Sequence, residues 1–189
     1  MPASQEKENI AHAESPGEWF ALRVDYRGEI KVKQYLDSLG VENFLPMQHK
    51  ETTVRGQKVR KLTPLVHNLI FVRAARQQID EIKATTDYPI RYLMFREGTK
   101  STPIIVPEEQ MRNFIRVAGT YDDQLMDLPL EEVALTAGDR VRILSGPFAG
   151  AEGIYLRLKG TRARRVVVHL PGIMSVATAT VPPSMVERI

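Results

Sequence analysis

The stretch TAGDRVRILSGPFAGAEGIYLRL, residues 136–158, places Gly146, Gly150 and Gly153 close together and decides how the end of the chain is built. A glycine loop that cradles phosphate follows a strand and opens a helix, whose first N–H groups hold the anion. Here RVRIL (140–144) reads as a strand, but GIYLRL (153–158) reads as a second strand, not a helix. The spacing G-x-x-x-G-x-x-G fits neither phosphate-loop pattern, and no Lys-Ser/Thr pair follows. The glycines therefore predict positive-φ or bulge positions in a strand–loop–strand connection. Three further strands follow at RRVVVHL (164–170), SVATATV (175–181) and MVERI (185–189), with Pro182-Pro183 forming a tight 3-10 turn. So many short strands in so little chain close most easily into a small β-barrel, which removes exposed edges.

Upstream the pattern is mixed. WFALRV (19–24) is apolar on both faces and predicts a central strand. A helix runs from Gly28-Glu29 to about Leu39, where Gly40 supplies a C-terminal cap. NFLPM (43–47) is a second strand, ended by Pro46. Two basic, β-prone arms then flank a turn at Arg55-Gly56-Gln57. LIFVR (69–73) is a third apolar strand, residues 77–84 a short helix, and IRYLMF (90–95) another strand. Pro107, with Glu108 and Glu109 after it, opens a last helix whose buried face is Met111, Phe114 and Ile115. This order predicts an α+β fold, an N-terminal antiparallel sheet flanked by helices lying mainly on one side. The resulting division is a flexible tail (1–17), an α+β domain (18–118), an acidic linker (119–135) and the barrel (136–189).

Composition narrows the function. The 189 residues are 43% hydrophobic and 26% charged, as expected of a globular protein, and hold no cysteine, which excludes disulfides and thiolate metal sites. That suits a reducing cytoplasm. No secretory h-region opens the chain, and no run reaches the ~18 apolar residues of a membrane span, so no membrane partner is expected. The net charge of +3 is unevenly spread. Residues 50–76 carry +6, residues 136–189 carry +5, and residues 120–135 carry −5. Two basic blocks on either side of an acidic one suggest two domains, each near a polyanion or simply kept soluble. Enzyme chemistry has no convergent set to use: His12, His49, His67 and His169 lack metal spacing, and no serine sits in a G-x-S-x-G elbow. No cofactor and no metal are implied.

Residues 136–154 resemble the KOW motif of NusG-type transcription elongation factors, with its Gly-Asp entry and G-P-F-x-G-x-x-G core. The N-terminal half agrees independently and in the same order. WFALRV (19–24) is similar to that family's first strand, KVKQYL (31–36) to its first helix, FLP (44–46) to its second strand, and Pro64-Leu65 with FVR (71–73) to its central strand. Two stretches depart from the housekeeping members. PLVHNL (64–69) stands where they read P-L-x-P-G-Y, and GIMSVAT (172–178) where they read G-R-x-T-P-V-E. These departures look more like specialised paralogues, including the UpxY-type antiterminators of capsular polysaccharide operons.

The resemblance implies a factor that suppresses pausing or termination, on particular long operons if a paralogue and on all genes if the general factor. It implies an apolar depression docked on the clamp helices of RNA polymerase, with Trp19, Phe44, Pro46, Leu69, Phe71 and Tyr92 as lining residues; plain core is the alternative for each. The basic arm with Arg55, Lys58, Arg60 and Lys61 would meet phosphates of the non-template DNA strand or nascent RNA, or would be a solvated hairpin. Phe148, expected as an exposed loop aromatic, and Ile173 would meet a partner of the barrel, in relatives a ribosomal protein or the Rho terminator. The rival class is a KOW-type ribosome-associated RNA-binding protein, which would not need the N-terminal domain.

Overall fold

The computed structural model describes residues 17–128 and 138–189. Tail residues 1–16 and linker residues 129–135 lie outside the described residues. Strand β1 (Glu18–Val24) is central, pairing antiparallel with β5 (Leu69–Ala74), β6 (Ile90–Tyr92) and β9 (Ile105–Val106), while β2 (Glu42–Phe44) extends the sheet beyond β5. Successive side chains of a strand point to opposite faces, and this splits the apolar run in two. Phe20, Leu22, Val24, Ile70 and Val72 join Val32 and Leu36 of helix α1 (Glu29–Ser38) and Ile79 and Ile82 of α2 (Arg76–Thr85). Trp19, Ala21, Phe44, Leu69 and Phe71 face the other way, into a core with Met111, Phe114 and Val117 of α3 (Glu108–Ala118). Helices thus cover both faces, two on one side and α3 on the other.

Local chemistry fixes the ends of these elements. Past α1, Gly40 turns left-handed (φ 67°), its N–H donates to Asp37 O, and the Val41 N–H donates back to Leu36 O. This is the double capping pattern that a glycine permits after a helix, with Val41 packed in the same core as Leu36. The basic arm is a two-stranded ribbon of β3 (Met47–Val54) and β4 (Gln57–Pro64). Arg55 and Gly56, both at positive φ (51° and 79°), make the tight turn that suits the ribbon's twist.

One strand expectation changes. The run at 90–95 leaves β1 after Leu93, whose N–H still donates to Ala21 O at 2.8 Å, and Met94–Glu97 (β7) turns away to form a separate hairpin with Lys100–Pro103 (β8) around Gly98. Met94 and Phe95 are exposed there, so an apolar run that reads as buried strand is half surface.

The C-terminal part is one antiparallel sheet. It contains β11 (Asp139–Ile143), β12 (Glu152–Arg157), β13 (Arg164–Leu170), β14 (Met174–Thr180) and β15 (Val186–Arg188), with a 3-10 turn over Pro183–Met185. A further strand, β10 (Met126–Leu128), comes from the stretch expected to be linker and pairs with β14, giving the order β10-β14-β13-β12-β11-β15. Gly146 (φ 84°) and Gly150 (φ 78°) take the positive-φ turns anticipated for the loop after β11. Gly153 serves differently: a Cβ there would run into the backbone oxygen of Val167 on the neighbouring strand.

Candidate nucleic-acid and partner interfaces

Of the six residues expected to line an apolar depression, Trp19, Phe44, Leu69 and Phe71 converge beneath α3 and are at most 9% exposed. Phe114 sits edge-on to Phe44 (centroids 6.0 Å) and tilted against Phe71 (5.4 Å), an arrangement favoured by the ring quadrupole. The Trp19 indole N–H donates to Glu108 Oε2 at 3.1 Å, tying β1 to the first turn of α3. Pro46 is buried beyond β2, where its carbonyl accepts from the Leu65 N–H at 2.8 Å. Tyr92 stands apart, on the α2 side of the sheet against Phe20, and its hydroxyl donates to Asp80 Oδ1 at 2.9 Å. Burial and that carboxylate push the phenol well above its ordinary range.

The same core continues into the C-terminal sheet through Val141, Ile143, Phe148, Val166, Val168 and Met174. Helix α3 therefore lies between two sheets, and its polar flank carries the seam. Asn113 bonds reciprocally to the backbone of Glu152, its amide donating to the carbonyl at 2.6 Å and its oxygen accepting from the N–H at 2.9 Å. Arg116 Nη1 donates to the Gly150 carbonyl at 2.6 Å. Beside them opens a cleft of about 630 Å³ lined by Arg112, Arg140, Glu152, Ile154 and His169, among others. His169 Nδ1 lies 2.8 Å from Ser175 Oγ, and burial holds the imidazole below its ordinary value of 6.5.

Phe148 corrects the sequence reading: it is only 5% exposed and belongs to the shared core. Its loop doubles back over the sheet, with Ala149 N–H donating to Gly146 O, Gly150 N–H to Ile143 O and Ala151 N–H to Phe148 O, which withdraws the ring from solvent. Ile173 is half-buried and lines a small apolar groove of about 200 Å³ with Ile104, Val106, Pro107 and Leu170.

The basic arm is largely exposed beyond its base, where Gln48 and Pro64 are buried, but its cations do not share one face. Register pairs Lys58 with Thr53, Arg60 with Glu51, and Lys61 with Lys50. Alternation along the ribbon then puts Lys58, Arg60 and Glu51 on one face, Lys61 and Lys50 on the other, and Arg55 at the tip. Lys58 pairs with Glu51 at 2.7 Å and Arg60 with Asp123 at 3.9 Å, while no ion pair holds Arg55 or Lys61 among the described residues. An arm with cations on both faces and at its tip suits a polyanion that wraps or passes it, and is less suited to a flat surface.

Two features carry no clear mark in the sequence. Glu29 is 1% exposed, with Oε1 2.9 Å from His67 Nδ1 and Oε2 without a partner among the described residues. His67 falls inside the unusual 64–69 stretch, which was the one available signal. The second is the segment after α3, which contacts the arm and then supplies β10. Its acidic composition reads as linker and conceals both roles.

Among the described residues no cluster of three or more potential metal ligands occurs, and no helix is long and apolar enough to cross a membrane. A family model described as "Transcription termination factor nusG" matches residues 17–115, the whole of the first sheet and most of its three helices. A solved structure described as "Domain interaction in Thermotoga maritima NusG" is 19% identical, with 91% of this chain and 97% of that chain covered and a TM-score of 0.44. No curated protein sequence matches the chain.

Proposed function

This chain belongs to the NusG family of transcription factors, and on that premise we propose that it binds elongating RNA polymerase and suppresses pausing or termination on a restricted set of long operons, such as those for polysaccharide synthesis. The observation that carries the reading is the coincidence of the family match with one structural unit, β1–β9 with α1–α3. That unit is the part we assign to the polymerase clamp helices. The C-terminal sheet, with its Gly-Pro-Phe loop turned at Gly146 and Gly150, supports a KOW domain of SH3-like design.

Trp19, Phe44, Leu69 and Phe71 are core members in this arrangement, so polymerase contact through them requires the covering α3 and C-terminal sheet to yield, and Pro46 is buried beside them beyond β2. Tyr92, on the opposite side, contributes by bracing α2. Arg55, Lys58, Arg60 and Lys61 are assigned to phosphates of the non-template strand or nascent RNA. Ile173, in the turn between β13 and β14 beside a groove shared with Ile104 and Pro107, is the remaining candidate for a ribosomal or Rho contact.

Restriction to particular operons is supported by the 64–69 stretch. There His67 reaches a buried carboxylate, and Asn68 Oδ1 accepts from the Arg27 N–H at 3.0 Å, so an altered loop also sets the turn after β1. Specificity is a difference between affinities, and such a change can redirect target choice without removing the polymerase-binding unit. Deleting the gene and sequencing nascent RNA tests this. Loss of distal RNA from one or a few long operons is the expected result. A uniform slowing across the transcriptome would instead identify a general factor.

A further inference from the structure

We propose that residues 121–128 form a strap through which nucleic acid on the basic arm and the seating of β10 on the C-terminal sheet oppose one another. The proposal rests on the arm's assignment to nucleic acid. At one end the strap is fastened to the arm. The Tyr121 carbonyl accepts from the His49 backbone N–H at 3.0 Å and lies 3.0 Å from the ring Nδ1 of the same residue, while Asp123 Oδ2 lies 3.9 Å from Arg60 Nη2. In its middle Leu125 is buried in the shared core, and the Gln124 carbonyl accepts from Arg165 Nη1 of β13 at 2.8 Å. At its other end Met126, Asp127 and Leu128 pair with Ala177, Val176 and Ser175 of β14. Leu128 closes a small apolar cluster with Leu158, Val167 and Ala177.

The sign of the coupling follows from charge. Residues 119–128 contain Asp122, Asp123 and Asp127 and no basic residue, so the strap presents to Arg60 the same charge that a phosphate does. A phosphate that takes Arg60 displaces Asp123 and repels both it and its neighbour Asp122. The strap loses part of its fastening to the arm, and β10, only three residues long, loses support. Linkage makes the effect reciprocal: a β10 that is firmly seated holds Asp123 at the arm and weakens nucleic-acid binding. Because Arg60 and Asp123 are both more than half exposed, the pair accounts for only a few-fold in affinity.

The test uses the full chain and a fluorescent single-stranded DNA of mixed sequence, titrated across a range of salt. Asp123→Asn should bind about two- to fivefold tighter than wild type at low salt. It should also steepen the salt dependence slightly, because the repulsion between Asp123 and phosphate that the variant removes is screened as salt rises. Asp87→Asn, the same change in charge far from the arm, should do neither. Hydrogen exchange of the β10 and β14 amides should quicken when DNA saturates the wild type. Wild-type affinity and slope in Asp123→Asn, or β10–β14 protection unaltered by bound DNA, would overturn the strap while leaving the arm's role intact. If instead neutralising Arg55, Lys58, Arg60 and Lys61 leaves DNA binding unchanged, the arm's assignment fails, and the strap with it.

Discussion

Removing the polar clamp between α3 and the C-terminal sheet should release the two parts from each other. The perturbation is Asn113→Ala with Arg116→Ala. Asn113 makes two neutral hydrogen bonds to the Glu152 backbone, each worth about 1 kcal/mol net. Arg116 adds a charged donor to the Gly150 carbonyl, worth about 1 kcal/mol once its exposure is discounted. The sum of about 3 kcal/mol changes the ratio of docked to undocked chains by about a hundredfold. The chain has no cysteine, so dyes can be placed at Gln78→Cys on α2 and Lys159→Cys on the loop after β12, both exposed. Single-molecule energy transfer should show one high-transfer population in the parent and a second, low-transfer population in the double variant. Asn113→Asp is the sharper control, because it keeps the acceptor for the Glu152 N–H and sets a carboxylate against the Glu152 carbonyl. An identical transfer distribution in all three proteins would refute the assignment of the seam to these contacts. If polymerase docks on the covered face, the double variant should also bind polymerase more tightly.

Phe114→Ala removes the ring that joins Phe44 and Phe71 and should cost about 3–5 kcal/mol, read from denaturant unfolding; a loss below about 1.5 kcal/mol would mean the site collapses or the ring is not central. His169 is held below its ordinary value by burial, so the unfolded chain binds more protons as pH falls below 6.5. Stability from this group is complete above that pH and declines as acid is added. His169→Asn should flatten that part of a melting-temperature profile between neutral and mildly acidic pH, and an unchanged slope would show that another group is responsible.

Much of the fold could be read because local and tertiary preferences agree. The alternation in β1 and β5 assigns Phe20 to one face and Trp19 to the other, and the helices follow from where those faces lie. Gly40 and Arg55-Gly56 sit at positions where backbone geometry leaves little choice. What could not be read depends on contacts between distant segments. Phe148 looks exposed because a glycine-flanked aromatic in a loop usually is, yet the loop doubles back over the C-terminal sheet and the ring joins the shared core. Met94 and Phe95 look buried because they extend an apolar run, and only the turn at Gly98 diverts them. The acidic stretch after α3 has the charge of a linker, and its strand character at β10 appears only when β14 offers an edge. Four of the apolar residues proposed for polymerase, Trp19, Phe44, Leu69 and Phe71, share one core, but burial together does not distinguish a docking face from a core that a second sheet already covers.

Action on elongating polymerase is tested by transcription in vitro with the purified full chain and RNA polymerase from the same cells. The template should carry a strong pause and a terminator from a long operon. The chain should remain with the elongation complex, shorten the pause and increase read-through of the terminator. A chain that neither joins the complex nor alters pausing or read-through at saturating concentration would contradict it.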